Sequence, residues 1–392
     1  MKSGTSVGAR GDRIHCAVAE TCVEIPGDAR VHVGEIQTGT RMDRDETIGD
    51  DVPDWQALPA SVRQAISTVW SNGMPPLASA VHGRWWQLES WLRSLVYVEL
   101  RAAFGSTWAD ALPKDSEARQ LGDDAFQYMA TPDAENRLAY TDAYPLFRIT
   151  LEHWDQFARA LPSKGVWAGR IEELRAIRNR IGHCRRPHMD DLARLEQTLR
   201  DLETGAFTAT SAFNCQRRVE ETWDDAVVDG WVQQHHETAV RLIEHARNQY
   251  DTLFTLMYSK RPWTVSVGDK TSISGIPGYL WHASWHFRGG RPFDLATFWR
   301  DISPWHNLLV FVCADRSSIS ISFSAKEDPE AVADAIGYCF DAALFSLGKG
   351  LRDSDFNAWK TCYADLDARV HISTAWSIVE ESMRSRISIF GA

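Results

Sequence analysis

From residue 55 to about residue 260, apolar side chains return at steps of three and four, and no alternating run interrupts them. That period puts one apolar stripe on each of several helices, and helices joined by short breaks bury such stripes against one another, so the segment reads as a bundle. Pro59 suits the first turn of a helix running to about Trp70, and Asn72-Gly73 with Pro75-Pro76 break it. The next helix covers about residues 77–104, with Trp85, Leu88, Leu92 and Leu95 in phase, and ends at Gly105. Thr141-Asp142 is a good N-cap pair for a helix through Phe147, Leu151 and Trp154. A fourth helix is predicted over 167–181, a fifth from Asp190-Asp191 to Gly205, and a long sixth over 220–257.

After Arg261-Pro262 the pattern changes. Residues 263–267, 279–287, 308–313 and 318–323 are rich in β-branched and aromatic residues and read as strands; 329–347 and 375–384 read as helices. A chain of 392 residues exceeds one ordinary core. The expected division is a flexible tail at 1–54, rich in Gly, Thr, Asp and Arg, a helical domain at 55–258, and a smaller α+β domain at 259–392.

Composition narrows the function. The net charge of −11 disfavours a protein that coats nucleic acid broadly. Seven scattered cysteines, none spaced as C-x-x-C, disfavour a disulfide framework or a cysteine zinc site and suit a reducing, cytoplasmic setting. No apolar run is long enough to span a membrane.

The chemistry-bearing candidates lie at the end of the fourth helix. Trp167, Ile171, Leu174, Ile177 and Ile181 form a narrow stripe centred on Leu174. At about 100° per residue, Arg178 falls roughly 40° from that centre and Asn179 about 140° away. Gly182 favours ending the helix there, and His183 follows. Two readings stand side by side. Arg178 makes a core salt bridge while His183 caps the helix, or both face a cleft as functional groups. From Lys164 to His188 seven basic residues meet only Glu172 and Glu173, a cluster suited to a polyanion, a solvated face or a contact with the acidic tail.

Arg178-Asn179 followed by three residues and His183 resembles the R-x4-H motif of the HEPN superfamily. Leu88-Glu89, Leu92-Arg93, Ala103-Phe104-Gly105 and Thr107-Trp108 resemble the first long helix of its Swt-type branch, as do His153-Trp154, Phe157 and the run through Cys184 and Arg185. The resemblance covers about residues 77–205 and departs at Gly182, where Ala is more usual. It implies a mainly α fold, a HEPN-like helical bundle followed by the smaller α+β domain. It also implies a metal-independent endoribonuclease with Arg178, Asn179 and His183 as catalytic residues and no cofactor. Glu89 is expected to hold Arg178, and Arg175, Arg180, Arg185 and Arg186 to bind RNA. One motif copy per chain implies a homodimer. An antitoxin or trigger protein is a further expected partner, in keeping with a toxin or phage-defence effector. The competing expectation is a non-catalytic HEPN module that binds RNA or nucleotide and dimerises, with the C-terminal domain as sensor. A metal at His235, His236, His282, His286 or His306 is disfavoured, because no carboxylates support them nearby.

Overall fold

The computed structural model describes residues 59–126, 136–265, 271–288, 293–315, 317–348, 366–372, 383–384 and 387–391. The expected tail at 1–54 lies outside these residues, as does nearly all of the helix expected at 375–384. The chain divides after Gln64 into two units. Of the first, only 59–64 are described; they open helix α1 (Ala60–Ser71).

The second unit is mainly helical, with a sheet-containing C-terminal region. Its first part holds α2 (Pro76–Phe104), α3 (Lys114–Asp124), α4 (Ala143–Glu152), the short α5 (Trp154–Phe157), α6 (Lys164–Gly182) and α7 (Asp191–Asn214). The periodic residues do what their spacing demands: Trp85, Leu88, Leu92 and Leu95 of α2, and Trp167, Ile171, Leu174 and Ile177 of α6, are all buried in one core. The indole N–H of Trp167 donates to Thr150 Oγ1 at 2.9 Å, so this fully buried tryptophan leaves no polar group stranded. Gly205, expected to end the fifth helix, lies inside α7 instead. A Cβ there would fall 2.1 Å from the carbonyl oxygen of Ala160, so the glycine lets α7 press against the connection before α6.

The second part holds β1 (Arg217–Arg218), α8 (Ala226–Trp231), α9 (Ala239–Tyr250), β2 (Thr252–Lys260), β3 (Tyr279–Phe287), α10 (Leu295–Asp301), β4 (Leu309–Ala314), β5 (Ser318–Ser324), α11 (Pro329–Ser346) and β6 (Val370–Ile372). The strand order is β1-β2-β3-β5-β4-β6, antiparallel except for the parallel β4–β6 pair.

The single long helix expected over 220–257 is replaced by α8, α9 and β2. Asp225 caps α8 by accepting from Val227 N at 3.1 Å, and Asp251 ends α9 in the left-handed region at φ 47°. The run from Thr252 then alternates as a strand. Residues 263–265, expected to begin a strand, form a turn and loop. The boundary expected at 258/259 therefore falls inside β2, and the sheet draws on chain from both sides of it.

Burial explains that arrangement. On one face of β3, Trp281, Ala283 and Trp285 pack with α8, α9 and α11. On the other, Leu280 joins Val310 and Phe311 in the core of α2, α6 and α7. The sheet is thus covered on both sides, and charge crosses the inner seam. Arg261 binds Glu99 of α2 at 2.6 Å with both side chains 1% exposed, and Arg101 of α2 lies 2.8 Å from Glu327.

His282 sits in this seam between Ser259 Oγ (2.7 Å) and Ser322 Oγ (2.8 Å). Burial, reinforced by the Arg261 charge, pushes its pKa from 6.5 down to about 3. A histidine depressed in this way stabilises the fold fully above its unfolded pKa and loses that contribution as pH falls from about 6.5 toward 3. Stability should therefore drop by up to about 1.4 kcal/mol per pH unit below 6.5 through this group alone. Urea unfolding at pH 7, 6 and 5 checks it: His282→Asn should flatten the dependence, and an unchanged slope in that variant would assign the acid lability elsewhere.

Candidate active site

The C-terminal end of α6 is built by two backbone hydrogen bonds. Arg185 N–H donates to Arg180 O at 2.8 Å and Cys184 N–H to Ile181 O at 3.0 Å. This pair is the Schellman closure, in which the residue after the cap turns left-handed. That residue is Cys184, at φ 52°, rather than Gly182, which is the last helical residue; His183 is the cap, at φ −106° and ψ 16°. The helix ends at Gly182 as expected, while the left-handed position of the closure falls two residues later, at Cys184. A left-handed conformation costs a non-glycine residue about 1 kcal/mol. Cys184→Gly should therefore raise the melting temperature by roughly 2 °C while leaving His183 in place. A fall in melting temperature would show that the Cys184 side chain contributes more than its backbone costs.

Gly182 has a different use. A Cβ on it would lie 3.2 Å from Nη1 of Arg178, so the guanidinium lies across the last turn, beside the residue that precedes His183. The missing Cβ at this position makes room for Arg178. The side chain of Arg178 is 41% exposed, and its Nη2 lies 3.6 Å from Asp142 Oδ1.

The expected Arg178–Glu89 pair does not form. Glu89 accepts from Arg93 Nη2 at 2.5 Å and from the indole of Trp85. Helical phase places the Arg178 Cα near the packed side, but its long side chain runs out to the helix end. Asp142 was visible in the sequence only as a cap. It stands at the N-cap of α4 without capping it, and its carboxylate instead bridges Arg119 (2.8 Å) and Arg178. The hydrogen bond that Arg119 donates to Asp142 raises the pKa of Arg119.

His183 and Asn179 are exposed, and neither side chain has a hydrogen-bond partner among the described residues. Arg185 and Arg186 are exposed as well. Arg175 lies over the ring of Tyr144 at 4.8 Å. Arg180, expected to bind RNA, is committed elsewhere. Its Nε donates to Asp191 Oδ2 at 2.8 Å and its Nη2 to Oδ1 of the same carboxylate. Burial alone would raise the pKa of Asp191, but the Arg180 guanidinium and the His188 N–H (2.9 Å) outweigh it and hold it below the usual carboxylate range. The pair ties the end of α6 to the start of α7 and so braces the connection that carries His183, Arg185 and Arg186.

Four of the five histidines considered for a metal have other partners, and His286 is exposed. His282 lies between two serines, His306 stacks on Trp299 at 3.8 Å, His235 meets Asp229, and His236 meets Asp334. No group of three or more metal-ligating side chains occurs among the described residues.

The end of α6 thus joins an exposed imidazole, an amide and a loosely held guanidinium within six residues, with two further arginines just beyond. Such a set can bind a phosphodiester and move a proton near it. Residues 86–205, from within α2 to within α7, match a family model, and the match makes this segment a HEPN domain. Its branch is the Swt1-like HEPN family. The matched family is one of RNase-type or nucleotide-binding modules. No curated protein and no solved structure matches the chain. No described helix is long and apolar enough to cross a membrane.

Proposed function

We propose that the chain is a metal-independent endoribonuclease acting through Arg178, Asn179 and His183. The observation that carries this reading is the placement of the Arg178 guanidinium over Gly182, in the same turn as the unpartnered, exposed imidazole of His183. In the reaction, a ribose 2′-OH attacks the adjacent phosphorus in line and the 5′-oxygen leaves. His183 handles the proton, and Arg178 forks onto the phosphoryl oxygens. Asn179 orients the hydroxyl, and Arg175, Arg185 and Arg186 draw the RNA backbone to the site. The products end in a 2′,3′-cyclic phosphate or its opened form.

One chain offers a thin, open site, so the working unit is a homodimer in which two α6 ends converge on one cleft. An effector held in check by a partner or trigger protein fits such a site. Mixed dimers test the arrangement. Arg178→Ala and His183→Ala chains carrying different tags should each be inactive alone, and the purified heterodimer should recover a measurable fraction of activity. A confirmed heterodimer with none contradicts a composite site.

The contact between Arg178 and Asp142 favours a second reading, because it offsets part of the charge meant for phosphate. On that reading the module binds RNA and dimerises without cutting. RNA that binds at the end of α6 but emerges intact under every condition would select it.

A further inference from the structure

Away from α6, two adjoining hollows open where α2 meets the sheet; Tyr97, Asn136 and Arg369 border both. The smaller, about 230 Å³, has Arg101, Arg137, Ser106 and Asn307 in its wall, and no carboxylate lines it. The larger, about 410 Å³, is walled by Trp86 and by Phe311 and His371, whose rings stack at 4.3 Å. The carboxylate on its rim, Asp367, is held by Arg369 at 2.9 Å. These volumes suit a small ligand, for which sites of about 300–1,000 Å³ are usual.

Two features make the hollows more than gaps. The first is a shortage of acceptors. Arg101 is 2% exposed; its Nη2 faces Glu327, but its Nε has no acceptor among the described residues. Arg137 gives Nη2 to Glu117 at 3.1 Å, and its buried Nε likewise has none. A buried donor left unpaired costs about 1–3 kcal/mol, and here two of them belong to guanidiniums in one wall. The Oδ1 of Asn136 accepts from Leu138 N, which leaves its amide N–H groups as further donors. Both Nε atoms are closed to solvent, so a ligand in the hollow would meet the other nitrogens of these guanidiniums, and a phosphate suits a wall that holds Arg101, Arg137 and Arg369 and no carboxylate. The second feature is Trp86. Its side chain stands 68% exposed on a helix whose neighbouring tryptophans, Trp85 and Trp91, are buried. An indole left in water beside a stacked aromatic pair gives a planar ring something to lie against.

We propose that the two hollows form one binding site for a small organic phosphate carrying a planar ring. The phosphate meets Arg101 and Arg137, and the ring meets Trp86 and the Phe311–His371 pair. Phe311, Asn307, Arg369 and His371 lie outside the segment matched by the HEPN family model, so the site belongs to the seam rather than to the HEPN domain alone. It does not depend on RNA cleavage.

Calorimetric titration of the full chain tests it, using the four ribonucleoside 5′-monophosphates, O-phosphotyrosine, the corresponding nucleosides and tyrosine, and inorganic phosphate. At least one ring phosphate should saturate one site per chain, and its dephosphorylated ring and free phosphate should each bind at least about tenfold more weakly. Which arm saturates separates a nucleotide from another aromatic phosphate. Trp86→Ala and Arg137→Gln should each weaken binding by roughly tenfold or more, and both sites are accessible enough for the fold to survive. His183→Ala should bind as wild type does, which distinguishes this site from the end of α6. Three results would overturn the proposal: no saturable binding of any ring phosphate, in which case the hollows hold water only; binding indifferent to both seam variants; or binding lost in His183→Ala.

Discussion

Replacing His183 with alanine is expected to lower RNA cleavage by about 10²–10⁴-fold, the range over which a positioned proton-transfer group acts. Arg178→Ala should cost about 10²–10³-fold, as loss of a charge-stabilising donor does elsewhere. The two groups act on one transition state, so the double variant should be little worse than the more damaged single one. Folding should not confound this result. His183 is exposed, Arg178 has a single carboxylate at 3.6 Å, and neither contributes to the core. Thermal unfolding of both variants should match wild type within about 0.5 kcal/mol. Unfolding together with loss of activity would instead make the pair a structural element of the helix end.

The largest effect on stability is expected far from that site, at Glu99. Its carboxylate accepts from Arg261 Nη2 (2.6 Å) and Nε (3.1 Å) and from the Trp263 indole (2.7 Å), and both charges are 1% exposed. Arg261 also donates to Ala209 O at 3.0 Å and lies over the ring of Phe213 at 4.7 Å. Removing one member leaves the other charge buried without compensation, a loss of about 3–5 kcal/mol. Glu99→Ala or Arg261→Met should therefore lower the urea midpoint sharply. The double substitution Glu99→Leu with Arg261→Met should recover part of that loss, because it removes both charges from the seam. A single variant that loses less than about 1 kcal/mol would show that water reaches this pair. The result bears on architecture too, since Glu99 lies in the HEPN segment and Arg261 in the sheet-containing part.

The helical half was largely legible because one-sided burial writes a period into sequence. The α6 stripe and the long α2 face each emerged from spacing alone. The strands 279–287 and 318–323 were legible for a similar reason, being short, aromatic or β-branched, and bounded by turns. Where a second signal overlapped, the reading failed. Residues 220–257 carry enough helix formers to suggest one helix, while the start of α8 at Asp225 and the end of α9 at Asp251 depend on a capping bond and a left-handed residue that composition does not announce. Glycine often ends helices, and Gly182 does so whereas Gly205 lies inside α7. Gly182 in addition makes room for the Arg178 guanidinium, and Gly205 makes room for the Ala160 carbonyl.

In the candidate site, the motif residues were visible as a pattern, but their partners were not. Asp142 and Asp191 reach Arg178 and Arg180 across 36 and 11 residues of chain, and no local spacing encodes such pairings. Glu89 matches the expected partner of Arg178 only by its place in the helix, and its carboxylate is occupied by its own helix neighbours. The seam cavity was invisible for the same reason, since its walls come from α2, from the residues before α4, and from β4 and β6.

The central claim, that a ribose hydroxyl is the nucleophile and protein side chains alone supply the catalysis, rests on one chemical distinction. An RNA whose cleavage position has been mapped is resynthesised with a single 2′-deoxy nucleotide on the 5′ side of the scissile phosphate and incubated with the wild-type dimer in excess chelator. The expected result is that cleavage at that position disappears while neighbouring positions are cut as before, with the unmodified RNA yielding a 2′,3′-cyclic phosphate end. Cleavage of the deoxy-substituted position at the rate of the unmodified one would contradict the mechanism.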